Sequence, residues 1–200
     1  GHINIFSNTN FDCEIPLVEV DGYVERLLFN TNVLDVDVDG GNRKWFATAG
    51  QGAFLISDNG TSQIYHFTAE NSGLLSNTVY GVRVDPKSGT VFFATDVGLC
   101  SFRSNATSSE ETFQNVLIFP NPVRRHYDGL ISISGLTDQT NIKITDVSGN
   151  LVFETYSEGG MASWDGRSFS GEKVQTGVYL FFCTNQSFDE SIVKKVLIYN

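Results

Sequence analysis

The sequence is poor in positive charge. Thirteen Lys and Arg stand against 23 Asp and Glu, a formal net charge of −10. Gripping a nucleic-acid backbone needs clustered Lys and Arg, so that class of partner is excluded. Simple electrostatic docking on an anionic membrane is disfavoured for the same reason. Long apolar runs are missing too: no stretch approaches the roughly 20 residues that a membrane helix needs. Cysteine is scarce, and Cys13, Cys100 and Cys183 lie far apart with no CxxC pair. That spacing offers no zinc site. An odd number leaves at least one thiol unpaired within the chain, and the disulfide state stays open. They read as small buried apolar side chains. No signal peptide is visible. Gly1-His2 runs straight into strand-like sequence, which reads as a cut in a longer parent chain.

What is present points to β-structure. Hydrophobic residues make up 40%, with 16 Phe, seven Tyr and 19 Gly, a composition that suits strands and tight turns. Two hundred residues suffice for one or two domains with real cores.

The first half repeats itself. Val33-Leu34-Asp35-Val36-Asp37-Val38-Asp39 aligns with Val79-Tyr80-Gly81-Val82-Arg83-Val84-Asp85, and both alternate with period two, the mark of a half-buried strand. A polar turn follows each, and then Trp45-Phe46-Ala47-Thr48 or Phe92-Phe93-Ala94-Thr95. Each copy passes through a glycine, Gly52 or Gly98, into a third apolar segment. Gln63-Ile64-Tyr65-His66-Phe67 supplies a fourth strand between the copies. The offset is 46 or 47 residues, and a multistranded repeat of that period predicts propeller blades. Trp45 and Phe92 are expected to be buried at equivalent positions.

Asp39, Trp45, Thr48, Gly52 and the run from Asn71 to Asn77 match the two-component-regulator type of propeller repeat, which residues 30 to 103 resemble. The second copy lacks the Trp. The segment from Asn4 to Phe29 reads as the end of a preceding blade. About two blades cannot close a ring, since closed propellers have about 4–8. Open blade flanks would be hidden by pairing, with a second copy or with the chain's own N-terminal segment.

The second half has a different rhythm. Residues 104–115 are polar and read as a linker. Strands are expected at 116–119, 130–133, 141–146, 151–156, 162–164, 178–184 and 191–199, separated by turns such as Ser148-Gly149-Asn150. Seven short strands so spaced predict an immunoglobulin-like sandwich. The fold class is therefore all-β: a partial propeller over 1–103, then a sandwich over 116–200.

Four ordered motifs carry a second resemblance. They are Phe119-Pro120-Asn121-Pro122, the hairpin from Lys143 to Val152, Trp164-Asp165-Gly166 with Gly171 and Thr176-Gly177-Val178-Tyr179, and Lys194-Lys195-Val196-Leu197-Ile198-Tyr199. Together they resemble the C-terminal sorting domains of the type IX secretion system, and more distantly the Ig-like domain of flagellar hook-capping proteins. The order of both halves is similar to PorZ-like proteins, in which two propellers precede the sorting-type domain. That resemblance implies a non-enzymatic component of the outer surface that assists the sortase anchoring cargo to anionic lipopolysaccharide. It implies partners in the secretion or attachment machinery, an exported location and no cofactor. Two other readings are the end of a secreted cargo protein, such as a polysaccharide-acting enzyme, and the periplasmic propeller of a hybrid two-component sensor. The latter would need a membrane helix after the propeller, and residues 103–200 contain none.

Candidate sites are few. Asp35-x-Asp37-x-Asp39-Gly40 looks like a calcium loop, but the twelfth position is Phe46, not an acid. The aspartates read instead as the solvated face of a strand, and no metal is expected there. His2, His66 and His126 are too scattered for a metal site, and no nucleophile–base order stands out. Arg124 and Arg125 form the one basic cluster beside an aromatic and are the candidate anion contact. Lys194, Lys195, Val196, Leu197, Ile198 and Tyr199 are the candidate sorting or docking strand, as the resemblance implies. Val193, Leu197 and Tyr199 fall on one face, and Ile192, Val196 and Ile198 on the other. One face is expected in the core and the other against a partner.

Overall fold

The computed structural model describes residues 16–20, 22–113 and 115–199 in full, and the backbone of 2–7 and 10–14. The readings of His2 and Cys13 lie outside the residues whose side chains are described. Among the described residues every regular element is a β-strand, and no helix is present that could cross a membrane. The chain divides into two units, 1–85 with 90–103, and 86–89 with 104–200.

In the first unit, β1 (His2–Ser7) pairs with β2 (Asn10–Glu14), and β3 (Leu17–Val20) with β4 (Tyr23–Arg26). A four-stranded antiparallel sheet follows: β5 (Val33–Val38), β6 (Lys44–Thr48), β7 (Ala53–Ile56) and β8 (Gln63–Phe67). The next sheet has three strands, β9 (Val79–Asp85), β10 (Thr90–Thr95) and β11 (Gly98–Arg103). The two sheets repeat even in their irregularity. The ladder skips Leu34 opposite β6 and Tyr80 opposite β10, so each first strand carries a bulge at the same place. Gly52 has φ +79°, and a Cβ there would run into the carbonyl oxygen of Phe67. The repeat's glycine is thus required by both backbone and space.

The ladder makes Trp45 the counterpart of Phe92: Trp45 sits opposite Asp37 and Phe92 opposite Arg83. Their burial differs. Trp45 is fully buried between the two sheets, edge-on to Phe93 at 5.6 Å, whereas Phe92 is 40% exposed. The expectation that both are buried fails at Phe92. Both rings leave the same side of their sheets, but the second sheet covers only the first ring. The mirror case is Val82, fully buried, against its counterpart Val36, which is exposed.

The aspartates of β5 also depart from expectation. They lie on the side facing β9, while Leu34, Val36 and Val38 are exposed. Asp35 Oδ2 accepts the Val82 N–H at 3.1 Å and pairs with Arg83 at 2.6 Å; Asp37 Oδ2 accepts the Val84 N–H at 2.8 Å. Those N–H groups point out of the edge of β9, so the carboxylates supply the acceptors that a neighbouring strand would have given. Asp39 is buried with Arg43 at 2.8 Å and accepts the Trp45 Nε1–H. The triad reads structurally as a brace, not a solvated face.

The second unit is a sandwich of seven strands: β12 (Leu117–Phe119), β13 (Ile131–Ser134), β14 (Asn141–Thr145), β15 (Leu151–Tyr156), β16 (Met161–Trp164), β17 (Gly177–Thr184) and β18 (Ser191–Ile198). One sheet has the order β12-β13-β16, the other β15-β14-β17-β18, all antiparallel. Inward residues at period two fill the core: Ile131 and Ile133, Ile142 and Ile144, Phe181 and Cys183, Val196 and Ile198. Trp164 is buried among them and donates its Nε1–H to the Arg167 carbonyl at 2.7 Å. The polar stretch expected as a linker is docked on this unit. Ser104, Ala106 and Phe113 are buried, and Phe113 N–H reaches Glu190 Oε1 at 2.9 Å.

Candidate docking strand of the sandwich

Strand β18 is built to be both core and surface. It lies at the edge of its sheet, paired to β17 alone from Gly177↔Ile198 to Thr184↔Ser191 without a shift in register. Its even-numbered residues face inward: Val196 and Ile198 are buried and Ile192 packs against the core. Its odd-numbered residues face out, with Val193 51% and Tyr199 48% exposed. Lys194 is half-buried on the inner side and Lys195 is exposed. Leu180 and Phe182 on β17 stand opposite Lys195 and Val193, so the outer face is apolar with a lysine set into it.

The C-terminal half of that edge is clamped. Asn121 Nδ2 donates to the Lys195 carbonyl at 3.0 Å, and Asn121 Oδ1 accepts the Leu197 N–H at 3.2 Å. Val123 then pairs with Ile198, donating to the Leu197 carbonyl at 2.8 Å and accepting from Tyr199 at 2.9 Å. Two motifs from opposite ends of the unit therefore meet. The peptide bonds before Pro120 and Pro122 are cis.

Arg124 and Arg125 follow Val123 directly and are exposed in the loop running past the end of β18. The fold tethers them near Tyr199 rather than beside Lys194 and Lys195. In the same loop Tyr127 donates its hydroxyl to the Leu130 carbonyl and Asp128 pairs with Lys173 at 2.7 Å. The hydrogen bond and charge of Lys173 hold the Asp128 carboxyl below its usual range. At the other end of β18 the side-chain amide of Asn185 does the same for Asp189, donating at 2.6 Å.

The Cys183 thiol, buried behind β18, is pushed up to about 12, chiefly by desolvation. Sequence reasoning missed Asn121 as the clamp. It singled out the motif but had no signal for a contact 76 residues away.

Residues 117–199 match the secretion system C-terminal sorting domain family. Strand β18 is thus the last strand of the region that matches this family. The chain as a whole is similar to PorZ of Porphyromonas gingivalis, described as an essential bacterial surface component of the type IX secretion system. The identity is 29% over 97% of this chain, with a TM-score of 0.65. The chain spans 26% of that structure's length. Two structures from B. thetaiotaomicron share far less. The extracellular domain of the putative one component system BT4673 is 13% identical, covering 89% of this chain and 27% of that one at a TM-score of 0.31. That of the putative hybrid two component system BT3049 is 12% identical, covering 84% and 38%, also at 0.31. Neither is close enough to carry weight. No curated protein gives a significant match.

Proposed function

We propose that this chain is the C-terminal part of a non-enzymatic surface component of the type IX secretion and attachment machinery. It assists the sortase that anchors cargo to anionic lipopolysaccharide. The observation that supports this most is the joint likeness. A sorting-type sandwich follows directly on two blade sheets, and the similarity to PorZ runs through both across 97% of the chain. The outer face of β18 would dock on the machinery, and Arg124 and Arg125 would contact its anionic groups. The exposed flanks of the blade pair, Val36 and Val38 on one side and Phe92 on the other, would pack against further blades of a longer chain. In a free fragment those flanks would favour self-association. Such a protein works at the cell surface after export.

The experiment compares two variants of the full-length protein in its own cells. Deleting 194–200 removes the core residues Val196 and Ile198, so both stability and surface delivery are expected to fall. Tyr199→Ser alters only the outer face, so delivery is expected to fall while the melting temperature holds. Unchanged delivery in both variants would overturn the docking role of this strand. A catalytic domain upstream in the full gene would favour the cargo reading instead.

A further inference from the structure

Asn121 and Val123 clamp only the C-terminal half of β18. The pairing with β17 has no bulge, and Leu197 turns its N–H and carbonyl outward to the clamp. By the two-residue alternation of an antiparallel ladder, Val193 and Ser191 also turn their backbone groups outward, as does the N–H of Lys195. Among the described residues none of these outward groups has a partner in the fold. At the opposite edge of the sheet, Phe169 N–H takes the Val152 carbonyl of β15. Among the described residues, β18 thus carries an open run of strand edge from Ser191 to Lys195.

Open edges are normally guarded, and Lys195 could be such a guard. The charge pattern around it is nevertheless self-complementary. The segment reads Asp189-Glu190-Ser191-Ile192-Val193-Lys194-Lys195, with acids at one end and bases at the other. An antiparallel copy of the same segment, centred on Ile192, sets Val193 opposite the partner's Ser191, both with outward backbone groups. It brings Lys195 level with the partner's Asp189, in the bend that leads into β18. Asp189 is exposed, and its hydrogen bond from Asn185 holds the carboxyl below its usual range. Glu190 is half-buried and engaged with Phe113, whereas Asp189 is exposed and, although it accepts from Asn185, is the acid a partner can reach. Phe188, 81% exposed, precedes it and would be covered by the partner's strand.

The geometry points to a second copy of this chain as the occupant of the edge, paired through Ser191–Lys195 about a two-fold axis at Ile192 and held in register by Lys195 and Asp189. The two four-stranded sheets become one continuous sheet. This goes beyond the secretion reading and does not depend on it. One strand pair falls below the roughly 1,200 Å² of stable interfaces, so the dimer is weak and concentration-dependent.

The test is sedimentation equilibrium of the full 200-residue chain and its variants, with melting curves to confirm folding. Val193→Pro removes an outward N–H, which an edge strand tolerates, and is expected to abolish the dimer. Association through the blade flanks would survive that change. Lys195→Glu and Asp189→Lys each place like charges in both symmetric contacts, and each is expected to weaken dimerisation by about tenfold. Mixing these two variants restores opposite charges in both contacts, so heterodimers are expected at wild-type strength. A wild-type chain that stays monomeric at high micromolar concentration would overturn the proposal. So would a dimer indifferent to Val193→Pro, or a mixture that recovers nothing.

Discussion

Asn121 and Leu197 stand 76 positions apart, and the side-chain amide of the first holds the backbone of the second. Oδ1 accepts the Leu197 N–H while Nδ2 donates to the carbonyl of Lys195. One side chain thus closes two groups of an edge strand that would otherwise face solvent. The motif that opens the sandwich acts as a clip on the motif that ends it.

Asn121→Ala should therefore loosen β18 from its far end. Two side-chain to backbone hydrogen bonds are lost, each contributing about 1 kcal/mol. Denaturant melts should show a loss of about 1–2 kcal/mol, and hydrogen exchange should quicken at the Leu197 amide. Exchange at Val196, whose N–H bonds to β17, should change less.

Trp45 and Phe92 offer a matched pair of deletions at equivalent sites. Trp45→Ala empties a fully buried site and should cost about 3–5 kcal/mol. Phe92→Ala removes a ring that is 40% exposed and should cost well under that, about 1 kcal/mol or less. Equal losses would show that a further neighbour covers Phe92 in solution.

Acid should weaken the link between β5 and β9. Burial works against ionisation of Asp35, but the Val82 N–H and Arg83 outweigh it and hold the carboxyl below 3.8. A depressed carboxylate contributes stability that is fully present above its unfolded value and is lost as pH falls through its folded value. Melting temperature should therefore drop below about pH 4. Asp35→Asn should make that drop shallower without removing it, because Asp128, Asp146 and Asp189 are depressed too.

The cysteines should differ in reactivity. Cys183 is fully buried with its thiol pushed up to about 12, so native protein at neutral pH should leave it unalkylated. Cys100, half-buried on β11, should label before Cys183. Mass spectrometry of protein labelled before and after denaturation checks this.

Much of the architecture was legible in the residues themselves. Alternation in Ile142-Lys143-Ile144 and in Tyr179-Leu180-Phe181-Phe182-Cys183, with turns such as Ser148-Gly149-Asn150, located the sandwich strands within a residue or two. The inner and outer faces of β18 followed from the same period. The repeat of Val36 and Val38 in Val82 and Val84 marked two equivalent sheets. Local pattern encodes these because a strand's side-chain period is set by its own backbone. What it could not encode was which face finds a neighbour. Val82 is buried and Val36 exposed, Trp45 buried and Phe92 exposed, although each pair is equivalent by ladder. Asp35 and Asp37 turn to the interior because β9 presents unmet N–H groups there, and Asn121 clamps β18 because folding brings together two segments that share no local signal. Burial and hydrogen-bond partners depend on what packs alongside, and only the tertiary structure decides that.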